Sequence, residues 1–141
     1  LKADSNYSGR VTVPVLWDKE TGTIVNNESR EIIRMFDTQF EGIAKPDANF
    51  YPDDLQEVIE QTINEIYQPI NNGVYRAGFA TTQIAYEEGV TDLFNALDRW
   101  DSVLSKQRYL CGSQLTEADW CMFTTLLRFD VVYYGHFKCN L

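Results

Sequence analysis

Residues 11–17 read VTVPVLW, an alternating run rich in β-branched residues that predicts a strand, with Pro14 in its middle. A proline has no N–H to give a ladder, so this strand lies at a sheet edge or is interrupted where the proline sits. A continuous central strand is thereby excluded. The next five residues, DKETG (18–22), have turn chemistry, and TIV (23–25) is a short return strand, which together predict a hairpin. NNES (26–29) then supplies helix-start residues ahead of Ile32, Ile33, Met35, Phe36 and Phe40, spaced for one apolar face. Residues 11–41 therefore follow a strand, strand, helix plan.

The character changes at Gly42. GIAKPDANFYP reads as a loop with two prolines, and no convincing strand follows it. Pro52 opens a helix whose inner positions are Leu55, Val58, Ile59, Ile63 and Ile66. Residues 68–80, QPINNGVYRAGFA, break the period with Pro69, Gly73 and Gly78 but carry enough apolar bulk to be packed and ordered. A long helix follows, with Ala85, Val90, Leu93, Phe94, Leu97, Trp100, Val103 and Leu104 facing inward. In LTEADW (115–120), Thr116 and Asp119 have the spacing of a capping box, and Leu115 and Trp120 that of its hydrophobic staple. The next stretch, CMFTTLLRFDVVYY, is apolar on nearly every side and predicts a central helix packed all round. The expected division is residues 1–41, mixed strand and helix, and residues 42–141, all helical.

With 141 residues the chain is long enough for a usable core, and no stretch approaches the roughly 18 uninterrupted apolar residues of a membrane span. A formal net charge of −9 argues against nucleic acid as a partner, because phosphate neutralisation needs clustered Lys and Arg. Cys111, Cys121 and Cys139 are an odd number with no CxxC, which points away from a disulfide framework or a zinc site and towards a reducing, cytoplasmic compartment. No metal is expected. The first ten residues have neither a hydrophobic run nor an initiator Met, so the chain is expected to be a piece of something longer.

Two groups of residues could carry chemistry. The helix start after the hairpin offers free amides and a partial positive charge, a seat for a carboxylate to which Ser29 adds a hydroxyl. Glu28 beside it is an acceptor suited to an ammonium. The strand edge at Val13 could hydrogen-bond an extended peptide, so an amino-acid-like peptide end would satisfy all three. The bland alternative is plain capping by Asn27 or Ser29 with Glu28 solvated. Tyr75, Tyr133 and Tyr134 lie near glycines and helix ends, where they either line a pocket with hydroxyls inward or are core tyrosines, the commoner case. His136, the only histidine, has no metal-ligand spacing and fits a surface or helix-end role. Cys121 fits a small buried hydrophobe, and nothing in sequence marks Cys111 or Cys139 as an activated nucleophile.

A strand with proline, a hairpin, a helix opening in Glu-Ser and an all-helical domain with a capping box resemble the glutathione transferase family. Longer strings, VPVLWDKETGTIVNNESREIIRMF, INNGVYRAGFATTQ, YLCGSQLTEADW and TLLRFDVVYYGHFKCN, are similar to its glutathionyl-hydroquinone reductases, the Xi class, from Arg10 to Asn140. Val131 departs from the pattern, which has a proline there at a helix bend. The resemblance implies an α+β chain, the second half of a thioredoxin-like domain (hairpin plus helix) followed by an all-α domain of the glutathione transferase C-terminal type. It implies that Val13 pairs with the cysteinyl backbone of glutathione, and that Glu28 and Ser29 hold its γ-glutamyl ammonium and carboxylate. Tyr75 and Tyr133 would belong to the quinone-side pocket. The implied reaction reduces a glutathionyl-hydroquinone with glutathione as co-substrate, through a mixed disulfide on a cysteine expected upstream of Leu1. The whole protein would be a homodimer, and this central fragment would have no turnover of its own. Two rivals stand beside it: a non-catalytic interaction module of the same fold, and a glutathione transferase that conjugates electrophiles.

Overall fold

A computed structural model of the chain describes residues 3–40, 42–43 and 49–141. It divides into a first compact unit that ends at Asn49 and a second, Phe50–Leu141. The loop expected over residues 42–52 falls largely on 44–48, outside the described residues.

The first unit is built on an antiparallel hairpin of β1 (Leu16–Asp18) and β2 (Thr23–Asn26), with Leu16 opposite Asn26 and Asp18 opposite Thr23. Asp18 organises the turn. Its carboxylate accepts the Glu20 amide at 2.8 Å and the Thr21 hydroxyl at 2.7 Å, and its carbonyl accepts the Gly22 amide at 3.0 Å. These bonds, Thr21 first, hold the Asp18 carboxyl below the usual carboxylate range. Gly22 closes the turn at φ 67°, a conformation open to glycine at no steric cost. The strand expected over residues 11–17 is thus shorter than its pattern: pairing starts only at Leu16, two residues after Pro14, whose peptide bond to Val13 is cis. Helix α1 (Ser29–Thr38) follows and buries Ile32, while Phe36 stacks on Phe40 at 5.4 Å.

The second unit is helical throughout. A tight turn at Asp53–Leu55 leads into α2 (Gln56–Ile66), whose inner stripe is Ile59, Thr62, Ile63 and Ile66. Val58, expected inside, is 45% exposed. At about 100° per residue it falls on the flank of the stripe, and Thr62 takes the inner place. The expected break at residues 68–80 is instead helical. A wide turn with five-residue hydrogen bonding, Tyr67–Asn71, is followed by α3 (Gly73–Gly78). Within the turn the Asn72 amide donates to the Tyr67 carbonyl at 2.8 Å, a spacing that accommodates the missing donor of Pro69. Helix α4 (Gln83–Leu104) starts on Thr82, whose hydroxyl accepts the Ala85 amide at 3.2 Å, and buries Val90, Leu93 and Trp100. Leu104 at its end is exposed rather than inward.

Helix α5 (Glu117–Leu127) opens with the expected Thr116–Asp119 capping box. Asn71 ties the first wide turn to α5, its amide donating to the Cys121 carbonyl and the Thr125 hydroxyl, both at 2.8 Å. The core is the line of Ile59, Ile63, Ile66, Ile70, Val74 and Leu93, all nearly inaccessible. Helix α5 is not packed all round: Ala118, Met122 and Thr125 are buried, whereas Trp120, Phe123, Leu126 and Leu127 are exposed. A second wide turn, Phe129–Tyr134, follows at the place where the family pattern has proline and this chain has the exposed Val131.

Helices α3 and α4 pack most tightly at Gly89, where an added Cβ would stand 3.2 Å from the Ala77 amide nitrogen and 3.4 Å from its Cα. Backbone cannot swing aside as a side-chain tip can. Gly89→Ala is therefore expected to destabilise the chain by about 1–3 kcal/mol, against the gain of about 1 kcal/mol that alanine brings in a helix interior. Urea denaturation checks this, and a parental midpoint would mean the two helices part freely.

Candidate functional site

Val13 and Glu28 run off the same open end of the hairpin, because Leu16 pairs with Asn26 at that end. Val13 is 89% exposed, and among the described residues its backbone makes no hydrogen bond. Asn26 locks the entry to α1: its side-chain oxygen accepts the Glu28 amide at 2.7 Å and its nitrogen donates to Glu31 at 2.5 Å. Glu28 occupies the cap position with extended backbone, φ −91° and ψ 112°, and no side chain caps the helix. Plain capping by Asn27 or Ser29 is thus not what is found. Glu28 and Ser29 are both exposed, so a carboxylate acceptor and a hydroxyl donor flank an uncapped, positively polarised helix start. Such a group can receive an ammonium and a carboxylate together.

In the second unit, α3 carries Tyr75 and the second wide turn carries Tyr133, and their hydroxyls meet at 3.1 Å with the rings edge-on at 5.7 Å. The two are not equivalent. Tyr133 is only 3% exposed and Tyr75 is 42% exposed. Burial, and then the hydrogen bond to Tyr75, push the Tyr133 phenol up to about 12, so it stays protonated at neutral pH. Tyr75 is the hydroxyl that can meet a ligand, and Tyr133 stands behind it. Phe79, stacked on Tyr75 at 6.2 Å, and Phe137, edge-on to Tyr75 and Tyr133 at 5.5 Å each, complete an aromatic cluster. Neither phenylalanine stands out in the sequence. FATT and GHFKC carry no local signal beyond a nearby glycine, and only the fold brings them together. Tyr134 is exposed, away from the hydroxyl pair, and His136 is exposed with its ring edge-on to Phe137 at 5.2 Å.

The three cysteines are unpaired. Cys139 is fully buried, and burial pushes its thiol up to about 11, the opposite of an activated nucleophile. Cys111 is buried with its sulfur 3.6 Å from the Thr62 hydroxyl, and Cys121, expected to be fully buried, is half-buried on α5. Among the described residues no group of three or more His, Cys, Asp or Glu side chains is placed to hold a metal ion, and no helix is long and apolar enough to cross a membrane.

Two family models match the chain: the glutathione S-transferase N-terminal domain over residues 2–39 and the glutathione S-transferase C-terminal domain over residues 83–140. The glutathionyl-hydroquinone reductase YqjG of Escherichia coli (strain K12) is 56% identical over 140 residues, which are 99% of this chain and 43% of that protein. The glutathione-bound structure of YqjG superposes with a TM-score of 0.94 at 56% identity, covering 98% of this chain and 45% of that one. A Xi-class transferase from Natrialba magadii superposes with a TM-score of 0.91 at 63% identity, covering 94% of this chain and 40% of that one. The chain thus spans somewhat under half the length of the relatives it matches. Its hairpin and α1 are half of a thioredoxin-like domain, and its helical unit is of the all-α C-terminal type. The resemblance drawn from the sequence holds, and the chain belongs to the glutathione S-transferase family, among its Xi-class and glutathionyl-hydroquinone reductase members.

Proposed function

We propose that this chain is the glutathione-holding and quinone-facing part of a glutathionyl-hydroquinone reductase. The observation that carries the reading is the open helix start at Glu28–Ser29, off the same hairpin end as the unpaired backbone of Val13. Val13 would hydrogen-bond the cysteinyl backbone of glutathione. Glu28 would accept from its α-ammonium, and Ser29 with the helix start would bind its α-carboxylate.

The reaction needs a thiolate that attacks the sulfur of a glutathionyl-hydroquinone. The carbon–sulfur bond breaks, the electron pair passes to the ring carbon, and a proton is taken up there. A second glutathione then attacks the resulting mixed disulfide and leaves as oxidised glutathione. The exposed hydroxyl of Tyr75 would donate to a ring oxygen and stabilise the charge that collects on it, with Tyr133 behind it rather than in contact. We assign the thiolate to none of Cys111, Cys121 and Cys139. The burial of Cys111 and Cys139 and the raised pKa of Cys139 favour a nucleophile from the part of the relatives that residues 1–141 do not span. On this reading residues 1–141 alone have no turnover. A reducing, cytoplasmic setting and a homodimeric whole protein belong to the same proposal, the first supported by three unpaired cysteines.

Calorimetric titration of the full-length protein with glutathione tests the first half. Removing one partner of a charged hydrogen bond costs about 1.5–3 kcal/mol, so Glu28→Gln and Ser29→Ala should each bind roughly ten- to a hundredfold more weakly. Parental affinity in Glu28→Gln would sink the assignment. Comparing S-glutathionyl-menadione with chlorodinitrobenzene as substrates separates the reductase from a conjugating transferase, and turnover of neither would favour an interaction module.

A further inference from the structure

Glycine at position 78 has no conformational reason to be there. It is the last residue of α3, and its φ does not lie in the left-handed region. Helix propensity would favour alanine. What glycine supplies is space: a Cβ at this position would stand 2.0 Å from Cδ1 of Phe137, 2.6 Å from its Cγ and 2.7 Å from its Cβ. The contact reaches back to the Phe137 Cβ, so rotating the ring does not relieve it.

Phe137 is also held from its other side. Lys138, next to it, takes the left-handed conformation at φ 56°, so the chain turns sharply there. The Tyr86 hydroxyl on α4 donates to the Lys138 carbonyl at 2.8 Å and lies 3.2 Å from the Asn140 carbonyl. The Cys139 amide donates to the Tyr133 carbonyl at 2.9 Å, and the Cys139 side chain is fully buried. Pinned on both flanks, Phe137 cannot retreat from a new side chain without disturbing the rings it touches.

We propose that Gly78 is a positioning residue for the hydroxyl pair: it seats Phe137 against α3, and Phe137 in turn sets the Tyr75 and Tyr133 rings so that their hydroxyls meet. The inference rests on the proposed reductase reading only for the pair's role, not for the seat itself. Lifting Phe137 would part the two rings and let water reach Tyr133. The other groups acting on Tyr133 electrostatically are Tyr75, Arg128 and Cys139.

The test uses the full-length protein with ring-labelled tyrosine, titrated at alkaline pH by NMR, with the Tyr133 signal identified by its absence in Tyr133→Phe. Gly78→Ala should move the Tyr133 titration down towards the ordinary phenol value of about 10. Turnover of S-glutathionyl-menadione should fall at least tenfold, with KM for glutathione unchanged. Phe137→Leu, which keeps bulk but removes the ring, should shift the titration in the same direction and decides the matter if Gly78→Ala does not fold. An unmoved Tyr133 titration in Gly78→Ala, or in Phe137→Leu, overturns the proposal. A parent protein inert towards S-glutathionyl-menadione overturns the reductase reading instead, and the titration still decides the seat.

Discussion

Asp119→Ala is expected to destabilise the helical unit by about 3–5 kcal/mol, well above the usual loss on removing a helix cap. The Asp119 carboxylate accepts the Thr116 amide at 2.9 Å, the Thr116 hydroxyl at 3.0 Å and the Leu110 amide at 2.8 Å. It therefore caps α5 and also pins the chain that leads into it. Alanine would strand two backbone donors in a half-buried place, each costing about 1–3 kcal/mol, and would remove a negative charge from the helix start. Thr116→Ala leaves both donors their carboxylate and should cost only about 0.5–2 kcal/mol. Equilibrium denaturation of the two variants gives the ranking. If Thr116→Ala costs as much as Asp119→Ala, the carboxylate is not the centre of this network.

Raising the pH should weaken the same unit through two buried groups. A phenol or thiol whose folded pKa lies above its unfolded value contributes stability in full below the unfolded pKa, and loses it as pH climbs through the folded one. The Cys139 window runs from 9.0 to about 11 and the Tyr133 window from 10.0 to about 12. Each shift corresponds to about 2–3 kcal/mol, as an order of magnitude. Stability should thus be level near neutrality and decline steadily above pH 9.0. Tyr133→Phe should flatten the upper part of the decline, and Cys139→Ala the lower part. A parental slope in Tyr133→Phe above pH 10.0 would show that the buried phenol does not carry it.

What could be read from the sequence was local or came as long matched strings. The turn at Asp18–Gly22 and the Thr116–Asp119 box each lie within five residues, so their hydrogen bonds are written into neighbouring side chains. Glu28 and Ser29 were legible as a polar helix start, with their ligand supplied only by resemblance. The wide turns were not legible, because Pro69 and the glycines after it give the same period break whether a helix stops or widens. Nor was the open face of α5: an all-apolar helix reads alike whether or not neighbours cover Trp120, Phe123 and Leu127. The unequal exposure of Tyr75 and Tyr133 and the seating of Phe137 on Gly78 join residues some sixty positions apart, and no window along the chain contains both partners.

The two wide turns also set a reading frame for the tyrosines. Tyr75 comes four residues after the turn at Tyr67–Asn71, and Tyr133 lies inside the turn at Phe129–Tyr134. A helix advances about 100° per residue, so dropping one residue from either turn would restore ordinary winding and swing everything beyond it by about that angle. One hydroxyl would then sweep away from the other while every helix kept its length and most of its composition. In this lineage, single-residue deletions at these two places are the changes that would silence the tyrosine pair while the helices around it remained.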